Sequence, residues 1–321
     1  MQRREKDLHR IGYLLSEGFQ VMAIATQSVF ECANVVAGSP FYEIENYSVE
    51  GGAVRSSLAM RVDTLPTPTR SRIDTWMVAG VLDPLSVSAP PAVVAFLRRA
   101  SGRARRVAGI CTGGFVLAEA GLLDGRRATT HWFYARELQQ RFPDVRVEDD
   151  RIYIVDGPVW TSAGMTAGLD LALAMVEYDL GAEAARSVAH KLVMHQRRSG
   201  GQSQHSEMLA LAPKSDRIQN ALDYARRNLH QALTVEQLAE AVHLSPRQFS
   251  RVFTAETGQS PARAVEGLRL EAARLMIEQS THPLDVIARE TGFRDRRHMR
   301  EAFMRGFGVP PQAVRREARA A

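Results

Sequence analysis

The rhythm of hydrophobic positions changes near residue 195. Before it, short apolar runs, IGYLLS (11–16), FYEIENYSV (41–49), DTWMVAG (74–80), RRVAGI (105–110), RIYIVDG (151–157) and VWTSA (159–163), carry the β-branched and aromatic residues of strands. Between them, residues 20–37, 89–100, 113–120, 133–141 and 165–179 place apolar side chains at helical spacing. Strands alternating with helices predict an α/β domain on a mostly parallel sheet, which we assign to residues 1–195. Residues 196–213, rich in Gly, Ser and Gln, read as a flexible linker. From 214 to 321 every segment has helical spacing, so this part is expected to be all α.

The helical part repeats itself. LAEAVHLSPRQFSRVFTAETGQSPARA and IARETGFRDRRHMREAFMRGFGVPPQAV align at an offset of 49 to 50, with Leu244 on Phe293, Phe253 on Phe303, Gly258 on Gly308 and Pro261 on Pro311. In each copy a short amphipathic helix (Val235, Leu238, Ala239, Val242; Leu284, Ile287, Ala288, Thr291) runs into a tight turn, Val-His-Leu-Ser or Gly-Phe-Arg-Asp. A second helix follows. Thr234 with Gln237 and Ser245 with Gln248 read as capping boxes, Pro246 suits a first helical turn, and Asp295 suits a cap. Two short helices joined by such a turn form a helix-turn-helix, and two copies with basic second helices point to DNA. Phe249, Phe253, Phe293 and Phe303 are expected in the core.

Charge supports that reading once it is located. Residues 1–213 carry 23 Lys and Arg against 23 Asp and Glu, whereas residues 214–321 carry 18 against 13. The net charge of +5 therefore sits in the helical third. No apolar run approaches the roughly 20 residues needed to span a bilayer, no signal segment is evident, and two cysteines make no disulfide framework. A cytoplasmic chain is expected. No cofactor and no metal ligand set is implied. Cys32, in a helix beside apolar neighbours, reads as core.

The most chemical stretch is RRVAGICTGGFVLAEAGLL followed by DGRRATTHW. A strand ends at Ile110, Cys111 takes the turn, and Thr112-Gly113-Gly114 opens a helix, the geometry of a nucleophile elbow. A helix N-terminus is expected to lower the thiol pKa. In an open α/β sheet a small molecule binds beyond the strand C-termini, so Cys111, Thr112, Gly113 and His131 are the candidate ligand-binding residues.

Residues 215–317 resemble the DNA-binding domain of the AraC/XylS family, on the two repeats and the linking stretch ARAVEGLRLEAARLMIEQS. The resemblance implies seven helices, with a long central helix holding two recognition helices about one DNA turn apart. Positions matching the family's exposed recognition residues are Arg247, Ser250 and Arg251, with Gln248 beside them, and Arg296, Arg297 and Arg300. Arg and Gln offer the forked donors that base edges require. Met299 stands where many relatives carry an aromatic and Glu301 where many carry arginine, which weakens the expected reading by the second unit.

Residues 9–195 resemble the DJ-1/PfpI superfamily, within the class-I glutamine amidotransferase-like fold. The combination looks like the GlxA subfamily of regulators. The enzymes of the superfamily, isocyanide hydratases with a similar CTG…TTHW pattern included, pair a cysteine with a carboxylate from the loop after the first strand. Aligning SEGFQVMAI on that loop puts Ala23 at the carboxylate position. The resemblance therefore implies a transcriptional regulator, expected to be an activator and a homodimer, working on promoter DNA with RNA polymerase. Its sensed metabolite is expected among amines, betaines or amino-acid derivatives. The alternatives are a cysteine-dependent hydratase or amidase carrying a DNA-binding tail, and a nucleoid-type protein without sequence preference.

Overall fold

The apolar runs of the first part pair into one sheet. The computed structural model describes residues 8–69, 73–194, 198, 200, 204, 211 and 215–320. The chain divides into two compact units, Met1–Gly200 and Gly201–Ala321. The linker expected at 196–213 lies almost entirely outside the described residues.

In the first unit the strands are β1 (His9–Leu14), β2 (Tyr42–Ser48), β3 (Gly52–Arg55), β4 (Arg61–Pro66), β5 (Thr75–Ala79) and β6 (Arg106–Ile110), followed by the short β7 (Arg127–Ala128) and β8 (Arg146–Val147), then β9 (Tyr153–Asp156) and β10 (Val159–Ser162). Eight of them form a sheet in the order β3-β4-β2-β1-β5-β6-β10-β9. Pairing is parallel except where β3 meets β4 and β9 meets β10. The hairpin β3–β4 was not legible: its strands are short and largely exposed, without clear alternation.

Helices cover both faces. They are α1 (Val21–Ala25), α2 (Gln27–Ala37), α3 (Pro91–Ser101), α4 (Gly113–Glu119), α5 (Trp132–Arg141), α6 (Met165–Leu180) and α7 (Ala182–Lys191). Adjacent strand residues point to opposite faces, so Met77 joins Phe30, Leu171 and Val188 under α2, α6 and α7. Trp76 joins Leu97, Phe115 and Leu138 under α3, α4 and α5. The single helix expected over 20–37 is broken at Thr26. That residue is buried, and its hydroxyl donates to the Ala23 carbonyl at 2.7 Å and lies 2.7 Å from the Tyr13 hydroxyl. A side chain bonded to the preceding turn competes with the helix ladder. Cys32 is only partly buried, at the margin of the core rather than inside it.

A polar cluster sits at the start of β1, β5 and β6. Arg106 and Asp179 form an ion pair with side-chain exposures of 5% and 2%. Arg106 Nε donates to Thr75 Oγ1 at 2.9 Å, and His9 Nε2 lies 2.7 Å from the same oxygen. Burial, reinforced by the Arg106 charge, pushes the His9 pKa down to about 4.

The second unit is helical among the described residues: α8 (Asp216–Arg227), α9 (Val235–Glu240), α10 (Pro246–Thr257), α11 (Pro261–Gln279), α12 (Leu284–Glu290), α13 (Arg296–Phe307) and α14 (Pro311–Ala320). Phe249 and Phe253 are buried in one apolar cluster, Phe293, Met299 and Phe303 in another.

Candidate DNA interface and ligand crevice

Each recognition helix starts where its residues dictate. The Ser245 hydroxyl accepts from the Gln248 backbone N–H while Gln248 Oε1 accepts from the Ser245 backbone N–H at 3.2 Å, a complete capping box at the head of α10. Thr234 and Gln237 do the same for α9. At the head of α13, the Asp295 carboxylate accepts from His298 N at 2.7 Å, which holds its pKa below the usual value. Gly258 and Gly308 close α10 and α13 in the left-handed conformation, with φ of 75° and 69°. The recognition helix of the second copy thus starts at a side-chain cap and stops at a left-handed glycine like that of the first, whereas α12 begins after Pro283 without the side-chain cap that α9 has.

Burying the phenylalanine side of α10 turns Arg247, Gln248 and Arg251 outward, with Ser250 half-buried. The Gln248 side-chain oxygen is engaged in the cap, so only its amide nitrogen faces outward as a donor. On α13, Arg296, Arg297 and Arg300 are exposed. Arg297 Nε donates to Glu301 Oε1 at 2.9 Å across one helical turn. The departure noted in the sequence at 301 is therefore an ion partner of a predicted base-reading arginine. Met304 was missed. It is 47% exposed, four residues beyond Arg300 and seven beyond Arg297, on the same face. That spacing was readable, but an isolated Met among arginines carries little signal.

In the first unit Cys111 follows the last residue of β6 and has φ of 54°, the left-handed region that a side chain seldom adopts. Its backbone N–H points at Ser162 Oγ at 3.4 Å, and its carbonyl accepts from Thr130 Oγ1 at 3.0 Å. The strained turn is thereby held from β10 and from the segment leading to His131. Glycine is required around it: a Cβ on Gly80 would stand 2.2 Å from Thr112 Oγ1, and one on Gly113 2.2 Å from the Val78 carbonyl. The elbow geometry is present, but the expected low thiol pKa is not. Cys111 is 3% exposed, and burial pushes its pKa up to about 11. The backbone hydrogen bond from Thr112 lowers the value, but desolvation outweighs it.

The other expected crevice residues are placed unequally. The Thr112 hydroxyl donates to the Val81 carbonyl at 2.6 Å, and Gly113 is buried. His131 is the N-cap of α5, its Nδ1 accepting from Phe133 N at 3.3 Å, and its ring lies beside Gly164. Trp132 and Phe133, next along the chain, are 49% and 59% exposed. They were not singled out in the sequence, although two large aromatics at a helix start with no place in the core pattern were a readable signal. Ala23 lies in α1, buried in the same apolar cluster as Cys111. Among the described residues no group of three or more His, Cys, Asp or Glu is arranged to hold a metal. Among the described residues no helix is long and apolar enough to cross a membrane.

Residues 42–178 match the DJ-1/PfpI family, and residues 238–317 match a family described as a helix-turn-helix domain. The chain is 31% identical to the HTH-type transcriptional regulator GlxA of Rhizobium meliloti, over 98% of this chain and 97% of that protein. It is 41% identical to an isonitrile hydratase of Pseudomonas putida, over only 30% of this chain and 41% of the enzyme. Among solved structures, an AraC family transcriptional regulator from Pseudomonas putida superposes with a TM-score of 0.53 at 21% identity, covering 57% of this chain and 99% of that one.

Proposed function

This chain belongs to the AraC-type helix-turn-helix transcriptional regulators that carry a DJ-1/PfpI domain, and from that premise we propose how its residues divide the work. It binds promoter DNA through its second unit. Arg247, Ser250 and Arg251 on α10, and Arg296, Arg297 and Arg300 on α13, read base edges and phosphates, with the Gln248 amide nitrogen as a further donor. The observation that carries this reading is the duplication of one helix start, side-chain capped and followed by exposed arginines, at Ser245 and at Asp295. Arginine matches guanine with two parallel donors, and each such pair discriminates by about 1–3 kcal/mol.

The first unit serves as the sensor in this reading. A small metabolite of the amine, betaine or amino-acid type settles above the Cys111 elbow, bordered by Thr112, Gly113 and His131. The resemblance puts Ala23 where the superfamily's enzymes place their acid, and a thiol with a pKa near 11 is protonated at neutral pH. Both favour binding over turnover. A homodimer would present two such units to neighbouring sites, and activation would pass through RNA polymerase; linking two modules raises avidity without new contacts. Residues 1–195 and 214–321 are the proposed domains, joined by 196–213. The chain is proposed to act in the cytoplasm.

The test is binding of the full chain to DNA upstream of its own and adjacent genes, at fixed salt, beside an Arg251→Ala plus Arg297→Ala variant. Retention of one fragment about 10³-fold above random competitor, lost in the variant, supports the reading. Binding indifferent to sequence would count against it. The second reading, a cysteine-dependent hydratase, is favoured by the local likeness to isonitrile hydratase. It requires turnover of an isonitrile abolished by Cys111→Ala.

A further inference from the structure

Two apolar clusters divide the long helix α11 between them. Val265 and Leu268 pack with the first helix-turn-helix, Leu270 and Ala273 with the second. Arg269 stands at the boundary. Its guanidinium leaves α11 and donates to three carbonyls in the segment between α8 and α9: Leu229 at 3.3 Å, Gln231 at 2.5 Å and Ala232 at 3.2 Å. Gly292, in the turn of the second helix-turn-helix, meets the same place. A Cβ there would lie 1.8 Å from the Leu229 carbonyl oxygen and 2.8 Å from Arg269 Nε. One side chain on the shared helix therefore joins a loop of the first half to the turn of the second.

Resting on the reading of two major-groove contacts, we propose that Arg269, with Gly292 packed against it, is a positioning residue that fixes the separation and rotation of the two recognition helices. The protein then selects operators by the spacing between their two contacted segments as well as by base identity. Helix α11 alone does not ensure this, because each half has its own core and meets the other mainly through that helix. A small rotation of either half about α11 would swing its recognition helix out of register with the groove. A guanidinium fixes direction because its donors form a rigid planar fork, and bonds from a charged donor are about twice as strong as neutral ones. The absence of a side chain at Gly292 lets the second half close onto the clamp.

The experiment uses the full chain and a duplex that it enriches from a random-sequence library, with the two contacted segments mapped by footprinting. A second duplex carries two base pairs inserted between them, turning the far segment by roughly 70° and moving it by roughly 7 Å. The wild type is expected to lose at least about thirtyfold in affinity on the insertion. Arg269→Ala and Gly292→Ala are expected to bind the uninterrupted duplex about tenfold more weakly, yet to lose no more than about threefold on the insertion. Arg269→Lys, which keeps the charge without the fork, falls between. Circular dichroism confirms folding, and if the alanine variants do not fold, Arg269→Lys decides. An undiminished insertion penalty in a folded Arg269 variant overturns the proposal while leaving the two-contact reading intact. An insertion that costs the wild type nothing removes the two-contact reading itself, and the proposal with it.

Discussion

His243 and Gly292, 49 positions apart, hold the same place in the two helix-turn-helix turns, and both have positive φ, 57° and 77°. The fold demands a left-handed residue at that corner in each copy, and only the second copy supplies glycine. A side chain in this region costs about 1–2 kcal/mol. His243→Gly is therefore expected to stabilise the second unit by roughly 0.5–1 kcal/mol after the added unfolded-state freedom is subtracted. A raised urea midpoint with an unchanged m-value would bear this out, and a lowered one would show that the histidine side chain contributes something the backbone does not.

The pairing of Arg297 with Glu301 has a consequence for DNA binding. Both side chains are well exposed, so the pair contributes less than about 1 kcal/mol to folding. Glu301→Ala is expected to leave the thermal midpoint nearly unchanged and to raise affinity for random duplex about threefold by removing a negative charge near phosphate. It should also blur the preference at one base pair, because Arg297 loses its orienting partner. Binding to a panel of single-base operator variants measures both effects.

Burial of the anion pushes the Cys111 pKa up from the ordinary thiol value of 9.0 to about 11. At pH 7.5 its alkylation by iodoacetamide should run at least ~100-fold slower than that of a free thiol. The folded chain holds the proton more tightly than the unfolded one. Stability from this group is therefore complete below pH 9 and declines as pH rises toward 11. Cys111→Ala should flatten that decline in urea titrations at pH 8, 9.5 and 10.5.

His9 gives the opposite slope. It is neutral in the fold, with its pKa lowered from 6.5 to about 4, and faces Arg105, Arg106, Asp74 and Asp179. The unfolded chain takes up the proton first, so stability falls as pH drops from about 6.5 toward 4, by on the order of 3 kcal/mol. His9→Gln, which retains a hydrogen-bonding group toward Thr75, should remove most of that slope. An unaltered acid profile in the variant would assign the loss to other groups.

The fold was legible where local chemistry decides it. Capping boxes at Thr234 and Ser245, the cap at Asp295 and the glycines at 258 and 308 fix the helix ends within a few residues, and the structure places them there. The apolar runs with β-branched residues became strands for the same reason. What escaped depends on distant partners. The break at Thr26 needs Tyr13, and the β3–β4 hairpin needs the edge offered by β2. In the candidate site, the elbow at Cys111 was readable from CTGG, but its thiol pKa was not, because desolvation depends on what the whole domain packs around it. Glu301 was seen as a departure from pattern, and its bond to Arg297 emerged only when both were placed one turn apart on α13.

Because the apolar clusters of the two halves meet α11 on either side of Arg269, the DNA-binding unit has a natural seam. A chimera joined at that residue would keep each donor's core whole and would need to match only the carbonyl segment at 229–232 and the corner at Gly292. If each half meets its own stretch of DNA, as proposed above, recognition elements from two regulators would be exchangeable as cassettes at this junction, and a new half-operator could be acquired without rebuilding the other half.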